Sequence, residues 1–89
     1  MNIPKQLKIG GHFVKVDMSE VLDNNGESEP CINLIKISKE IAQSQKESTL
    51  IHEIFHFLNT TFDHGMNHAF MDSLAEQFYQ VLKDNNLLK

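Results

Sequence analysis

The sequence has one cysteine, no tryptophan and two prolines. A single cysteine cannot form an intramolecular disulfide, which excludes the small disulfide-stabilised scaffolds of secreted proteins. No apolar run in the sequence approaches the roughly 20 residues that a membrane-spanning helix needs. The first residues also lack the apolar core of a signal peptide. Together these absences predict a cytoplasmic protein that has no membrane partner.

Positive charge is scarce as well. Eight Lys and Arg residues stand against twelve Asp and Glu residues, and the net charge is -4. Nucleic-acid-binding proteins usually present a basic face, so the balance predicts no nucleic-acid partner. The hydrophobic fraction of 40% is ordinary for a globular chain. A length of 89 residues fits a single domain, residues 1–89, whose small core a bound metal would help to stabilise.

The N-terminal part of the chain has the pattern of β-strands. Residues 5–18 predict a hairpin, because the Gly-Gly pair at 10–11 is a two-residue turn signal between alternating apolar residues. Such a turn places Ile9 opposite His12. Residues 23–30 predict a loop by composition, and residues 31–38 predict a third strand. The apolar alternation of this strand breaks at 34–35, which indicates a bulge or burial on both faces.

Two amphipathic helices follow. The first is expected from about 45 to 60, after a capping box at residues 44–47, and the second from about 68 to 83, after a turn at 63–67. The expected fold is therefore α+β, with a small antiparallel sheet, made of the hairpin and one strand, before two helices. The apolar residues that predict the core-facing sides are Leu50, Ile51, Ile54, Phe55, Phe57, Leu58 and Phe62 on the first helix, and Phe70, Met71, Leu74, Ala75, Phe78, Val81 and Leu82 on the second.

The first helix carries His52-Glu53-x-x-His56. Residues four apart on a helix differ by about 40° in direction, so both imidazoles project to one side and can share a zinc ion. Glu53 lies near enough to such a metal to take a proton from water. The two histidines point away from the apolar stripe of the helix. The alternative interpretation is a pair of ordinary solvent-facing histidines, but the motif and its position on the helix favour zinc.

A catalytic zinc site needs a third protein ligand and an open position. The extended metzincin pattern is absent, because it would require Gly at Asn59 and His at Phe62. The second helix is the natural source of the missing ligand. Its candidates rank by their angle from the apolar arc, Asp72 first, then Glu76 and His68, and His64 in the turn is a weaker candidate.

Residues 49–56 resemble the active-site helix of small HExxH proteins encoded by bacteriophages and prophages. Residues 8–12 and 79–85 resemble the same group, so the resemblance covers nearly the whole chain. The broader relatives are gluzincin-type peptidases, including the ImmA/IrrE-type peptidases of mobile elements. The resemblance implies a minimal zincin-like domain in a bacterial host cell, with a strand layer on the HExxH helix. It also implies an acidic third ligand at Asp72, where relatives usually carry Glu.

The sequence thus predicts a zinc metallopeptidase-like protein that acts on a peptide or protein substrate. His52, His56 and Asp72 would bind Zn²⁺, and Glu53 would be the general base. An extended substrate would pair with the strand at 31–38. The alternative is a binding or regulatory protein of a mobile element that uses zinc only for stability. A helical interaction module without metal is a third possibility if the histidines are incidental.

Overall fold

The computed structural model describes residues 1–88 and confirms the α+β class, with strands first and helices last. In chain order the elements are β1 (Gln6–Ile9), β2 (His12–Asp17), β3 (Gly26–Glu29), a short 3-10 helix (Pro30–Ile32), β4 (Leu34–Ile37), α1 (Gln43–Phe62) and α2 (His68–Asp84). Neither helix combines the length and apolar character that crossing a membrane requires, within the described residues.

The predicted hairpin is confirmed in both turn and register. β1 and β2 pair antiparallel with Ile9 opposite His12. Gly10 and Gly11 both have positive φ, which permits the two-residue connection. Alternation along the two strands then turns Val14 toward the core, where it is fully buried.

The sheet has a fourth strand and a parallel pair that the sequence pattern does not predict. Its strand order is β1-β2-β4-β3, with β2 and β4 parallel, so the expectation of an antiparallel sheet is wrong for that pair. β3 occupies part of the predicted loop at 23–30 and pairs antiparallel with β4. The chain leaves β2, crosses to the far edge and returns as β3. The hairpin from β3 into β4 then makes β4 run in the direction of β2.

The strand predicted at 31–38 is shorter than expected. Its first residues form the 3-10 helix, which ends at Asn33 in the left-handed conformation with φ 53°. Asparagine tolerates this conformation better than most residues, so it suits the sharp connection into β4. Leu34, Ile35 and Lys36 pair with both neighbouring strands without interruption, and Ile37 continues the pairing with β3. The suggestion of a bulge is therefore wrong, and the break in alternation marks the start of the strand.

α1 lies between the sheet and α2. It packs against β3 and β4 on one side and against α2 on the other. The core between α1 and the sheet is aliphatic apart from one phenylalanine. Its buried members are Ile9, Val14, Val16, Ile35, Ile37, Leu50 and Phe57.

Much of the apolar arc of α2 is not in the core. Met71 and Ala75 are buried as predicted, at 2% and 1% exposure. The main contact of α2 is with α1, and four of the seven apolar residues of the predicted arc stay exposed within residues 1–88. Burial was wrongly predicted for Phe62 on α1 and for Phe70, Leu74, Phe78 and Val81 on α2, which are exposed.

The first turn of α1 differs from the predicted capping box. The helix begins at Gln43 after Ala42, and no side chain caps it. Ser44 therefore does not cap the helix, and Glu47 is not its reciprocal partner. Glu47 instead turns inward and is 1% exposed. A buried carboxylate needs strong partners, and those of Glu47 come from distant parts of the chain.

Four groups contact the Glu47 carboxylate, three of them from distant parts of the chain and one, Gln43 Nε2, from the same helix at 3.4 Å from Oε2. The α-amino group of Met1 lies 3.0 Å from Oε2, and Tyr79 Oη and Lys83 Nζ lie 2.9 and 3.1 Å from Oε1. The contact with the Met1 amino group contributes most to the pKa of Glu47, and the whole set holds that pKa at about 2. Glu47 therefore ties the start of α1 to the end of α2 by charge-assisted hydrogen bonds.

Replacing Glu47 by glutamine is expected to lower the free energy of unfolding by about 1–2 kcal/mol at pH 7, a value reduced for solvent screening at the half-exposed Lys83. An unperturbed glutamate has a pKa of about 4.3. Since the folded pKa is lower, the stabilisation by Glu47 is complete above about pH 5 and is lost as the pH falls toward 2. Urea unfolding at pH 7 and pH 2.5 measures both limits. Glu40→Gln, at an exposed position, is the control. If the free energies of unfolding of Glu47→Gln and the wild type differ by the same amount at both pH values, this role for Glu47 is contradicted.

Candidate metal centre

α1 presents His52 and His56 together on one side. One helical turn separates them, so their rings lie next to each other on the helix surface, tilted by 41° with centroids 4.6 Å apart. The two Nε2 atoms are 2.9 Å apart, and the side chains are about one-quarter exposed. Burial, aided by His52 and His68, lowers the pKa of His56 and favours the neutral imidazole. The neutral ring is the form that binds a metal.

α2 brings Asp72 to the same point. Its Oδ1 lies 3.1 Å from His52 Nε2 and 3.4 Å from His56 Nε2. Within residues 1–88, these three side chains are the group whose metal-ligating atoms all lie within 4.8 Å of one another. α2 runs from the turn at 64–67 with the Asn67 side chain accepting a hydrogen bond from the Phe70 amide. This cap fixes the start of the helix and hence the direction of Asp72.

The other candidate ligands are outside this three-residue group. Glu76 borders the cleft next to the site but is outside the three-residue group. His64 stacks on the ring of Phe62, with centroids 6.1 Å apart. His68 Nε2 lies 3.1 Å from Oδ2 of Asp72, the oxygen other than the one near the two histidines of α1, so His68 contacts the carboxylate itself.

The three ligand atoms fit a zinc ion. Ligands bound at 2.0–2.1 Å in a tetrahedron are separated by about 3.3 Å, and the observed separations are 2.9, 3.1 and 3.4 Å. Asp72 Oδ1 is buried and makes no well-oriented hydrogen bond. A buried carboxylate oxygen without a well-oriented hydrogen bond is costly, and a cation between the three atoms would satisfy it. Two imidazoles and a carboxylate are also a donor set that zinc prefers.

Glu53 lies beside this cluster and is only 6% exposed. Burial, with smaller contributions from the nearby carboxylates Asp72 and Glu27, raises the pKa of Glu53 to about 7 against the opposing effect of the Ser28 hydroxyl. A carboxyl group with a pKa near neutrality can both accept and return a proton at physiological pH. The burial of Glu53 thus gives it the property that a general base requires.

β3 lies directly over Glu53 because its inward residues are small. A Cβ atom at Gly26 would come within 2.5 Å of Thr49 Cγ2 and 3.2 Å of Glu53 Cγ. Ser28, two residues on, is on the same side of the strand. Glycine and serine therefore allow the sheet edge to approach the HExxH helix closely.

A cleft of about 620 Å³ opens between β3 and α1, and His52, Glu53 and His56 are among the residues that line it. Amide, hydroxyl and carboxylate groups dominate its walls. The residues that line it are Asn24, Asn25, Gly26, Glu27, Ser28, Gln45, Ser48, Thr49, His52, Glu53, His56, His68 and Glu76.

Sequence reasoning missed β3 and two of its residues, Gly26 and Ser28. The segment has no apolar alternation, because its inward positions are occupied by these small residues. The contact between His68 and Asp72 was also missed. Their i, i+4 spacing on the second helix was the available signal.

No protein-family model, curated protein or solved structure matches this chain. The resemblance to phage-encoded HExxH proteins stays a prediction that rests on residues 8–12, 49–56 and 79–85. The function must therefore be inferred from the geometry of the site.

Proposed function

We propose that this protein is a zinc-dependent hydrolase of peptide bonds. The observation that carries the proposal is the convergence of His52, His56 and Asp72 on one point, with the buried Glu53 in the cleft that the two histidines line. Three protein ligands leave one coordination position open, which is the arrangement of catalytic zinc sites. Structural zinc sites usually have four protein ligands.

The reaction assigns separate tasks to the chain's own residues. His52, His56 and Asp72 hold the metal, and zinc, when bound, polarises the scissile carbonyl and makes water more acidic. Glu53 takes the proton from the attacking water at a carboxylate oxygen. The same carboxyl group returns the proton to the departing nitrogen as the carbon–nitrogen bond breaks. Its burial keeps the proton transfer away from bulk solvent.

The substrate of this proposal is a peptide in extended conformation. Pairing with the strand at 31–38 was predicted from the sequence, but this is wrong, because β4 lies between β2 and β3. β3 is the sheet edge, and its residues border the cleft that holds the site. An extended peptide that adds to β3 would therefore lie across the metal and Glu53. We assign this activity to the bacterial cytoplasm.

A second candidate is a binding or regulatory protein in which zinc only stabilises the fold. The exposed apolar side chains of α2 favour it, since Phe70, Phe78 and Val81 are about half exposed on one helix. Such residues are typical of a surface that contacts another protein. Glu53 separates the two candidates, because structural zinc needs no buried carboxyl group beside it.

Zinc titration and peptide cleavage test the proposal together. The purified protein is expected to bind about one zinc per chain with a Kd below micromolar, and to cleave peptides from a proteome-derived library. Chelation should abolish cleavage and added zinc should restore it. Elemental analysis, titration of the stripped protein and mass spectrometry of the products measure these properties.

Glu53→Gln prepared in parallel controls for contaminating proteases. Failure to bind zinc more tightly than micromolar would overturn the proposal. Tight zinc binding without cleavage would favour the binding protein.

A further inference from the structure

Asp72 has two carboxylate oxygens with different surroundings. Oδ1 faces His52 and His56 at 3.1 and 3.4 Å, whereas Oδ2 lies 3.1 Å from His68 Nε2. The carboxylate is thus divided between the proposed metal position and one imidazole on its own helix. We infer that His68 is a positioning residue that holds Asp72 in the orientation needed for metal binding, an inference that rests on the proposed metal site.

The short side chain of Asp72 makes this support necessary. Rotation about its last bond exchanges the two oxygens or turns both away from the histidines of α1. An N–H group on His68 that donates to Oδ2 opposes this rotation and leaves the lone pairs of Oδ1 directed at the metal position. Groups that orient metal ligands in this way typically change metal affinity 10- to 100-fold when they are removed.

The helix geometry places His68 for this task. His68 and Asp72 are one turn apart on α2, and the Asn67 cap fixes the backbone immediately before His68. The ring of His68 also lies against that of His56, with centroids 4.9 Å apart. The side chain of His68 is 73% exposed, so it contributes little to the core. Its removal should therefore affect metal binding far more than folding.

A positioning role differs in a measurable way from direct ligation. If His68 acts through Asp72, its effect must disappear when Asp72 is absent. If His68 binds the metal itself, its loss must weaken binding whether or not Asp72 is present. A glutamine at position 68 adds a further test, because its amide N–H can replace the imidazole donor toward a carboxylate.

The experiment measures zinc dissociation constants by chelator competition for the full chain. The variants are His68→Ala, His68→Gln, Asp72→Ala and the double variant His68→Ala/Asp72→Ala, with His64→Ala in the exposed turn as the matched control. His68→Ala is expected to weaken zinc binding 10- to 100-fold, His68→Gln to recover most of the loss and His64→Ala to resemble the wild type. In the Asp72→Ala background, loss of His68 should change the affinity less than twofold.

Two results would overturn the inference while leaving the proposed function intact. One is tight zinc binding by the wild type with no loss in His68→Ala. The other is an equal loss from His68→Ala with and without Asp72, which would make His68 an independent ligand. Failure of the wild type to bind zinc in the same titration would overturn the proposed function and this inference together. Circular dichroism of each variant verifies that the fold is retained.

Discussion

Glu53→Gln is expected to reduce peptide hydrolysis by at least about 100-fold and to stabilise the metal-free protein at pH 8 by about 1–3 kcal/mol. Glutamine has nearly the shape of glutamate but cannot accept the proton from water. The two expected effects have one cause, the burial of a carboxyl group beside Asp72. Burial raises the proton affinity of the Glu53 carboxylate, which suits it to act as a base, and the same burial makes its ionisation costly in the folded state.

The sign of the stability effect follows from the pKa. Burial raises the pKa of Glu53 to about 7 in the folded protein, whereas an unfolded glutamate titrates near 4.3. Between these values the folded protein binds more protons than the unfolded chain, so the stability falls as the pH rises. The glutamine variant avoids this loss. The extra stability of Glu53→Gln over the wild type should be small at pH 4 and complete above about pH 7.

Thermal or urea unfolding of chelated protein at pH 4 and pH 8 measures the stability effect, and peptide turnover with zinc measures the catalytic one. Glu76→Gln is the matched control, because Glu76 borders the same cleft but is exposed. Full turnover by Glu53→Gln would exclude Glu53 as the base. Equal stability of the variant and the wild type at pH 8 would show that burial does not oppose the ionisation of Glu53.

His52→Ala and His56→Ala are each expected to weaken zinc binding by more than about 100-fold, beyond the range for outer-shell partners. Each change removes one of only three protein ligands, and the remaining two cannot enclose the ion. Chelator competition measures the affinity, and circular dichroism verifies the fold. His12→Ala, at an exposed position beside the hairpin turn, is the control. Retention of wild-type affinity in either ligand variant would contradict the proposed site.

The helices and the first hairpin were predictable because local signals specify them. Gly10 and Gly11 determine the turn, and the spacing of His52 and His56 puts them on one side of a helix whatever surrounds it. The helical phase of α2 also ranked Asp72 ahead of Glu76, and Asp72 is the one in the three-residue group. Here the two buried residues Met71 and Ala75 were sufficient to define the direction of the helix.

The remaining features depend on contacts between distant segments. β3 has no apolar pattern of its own and exists because β4 provides a partner and α1 leaves room for small residues. Glu47 has the sequence context of a capping residue, but the Met1 amino group, Tyr79 and Lys83 draw it inward. The exposed phenylalanines of α2 follow the same periodicity as a core face. Sequence periodicity is the same whether another layer covers such a face or, as within residues 1–88, the face stays exposed.

Two groups of polar contacts join α1 to α2 at different points along the helices. Glu47 joins Tyr79 and Lys83 near the start of α1, and about 10 Å along the helix His52 and His56 meet Asp72. The helix pair is therefore held by ion pairs and hydrogen bonds near the start of α1 and by the proposed metal site farther along. Withdrawal of zinc from the proposed site would loosen the contact of Asp72 with α1, while the Glu47 contacts and the buried Met71 and Ala75 would keep α2 on α1. Acidification toward pH 2 would instead protonate Glu47 and weaken the contacts at its end of the helix pair, so the two ends would respond to different conditions.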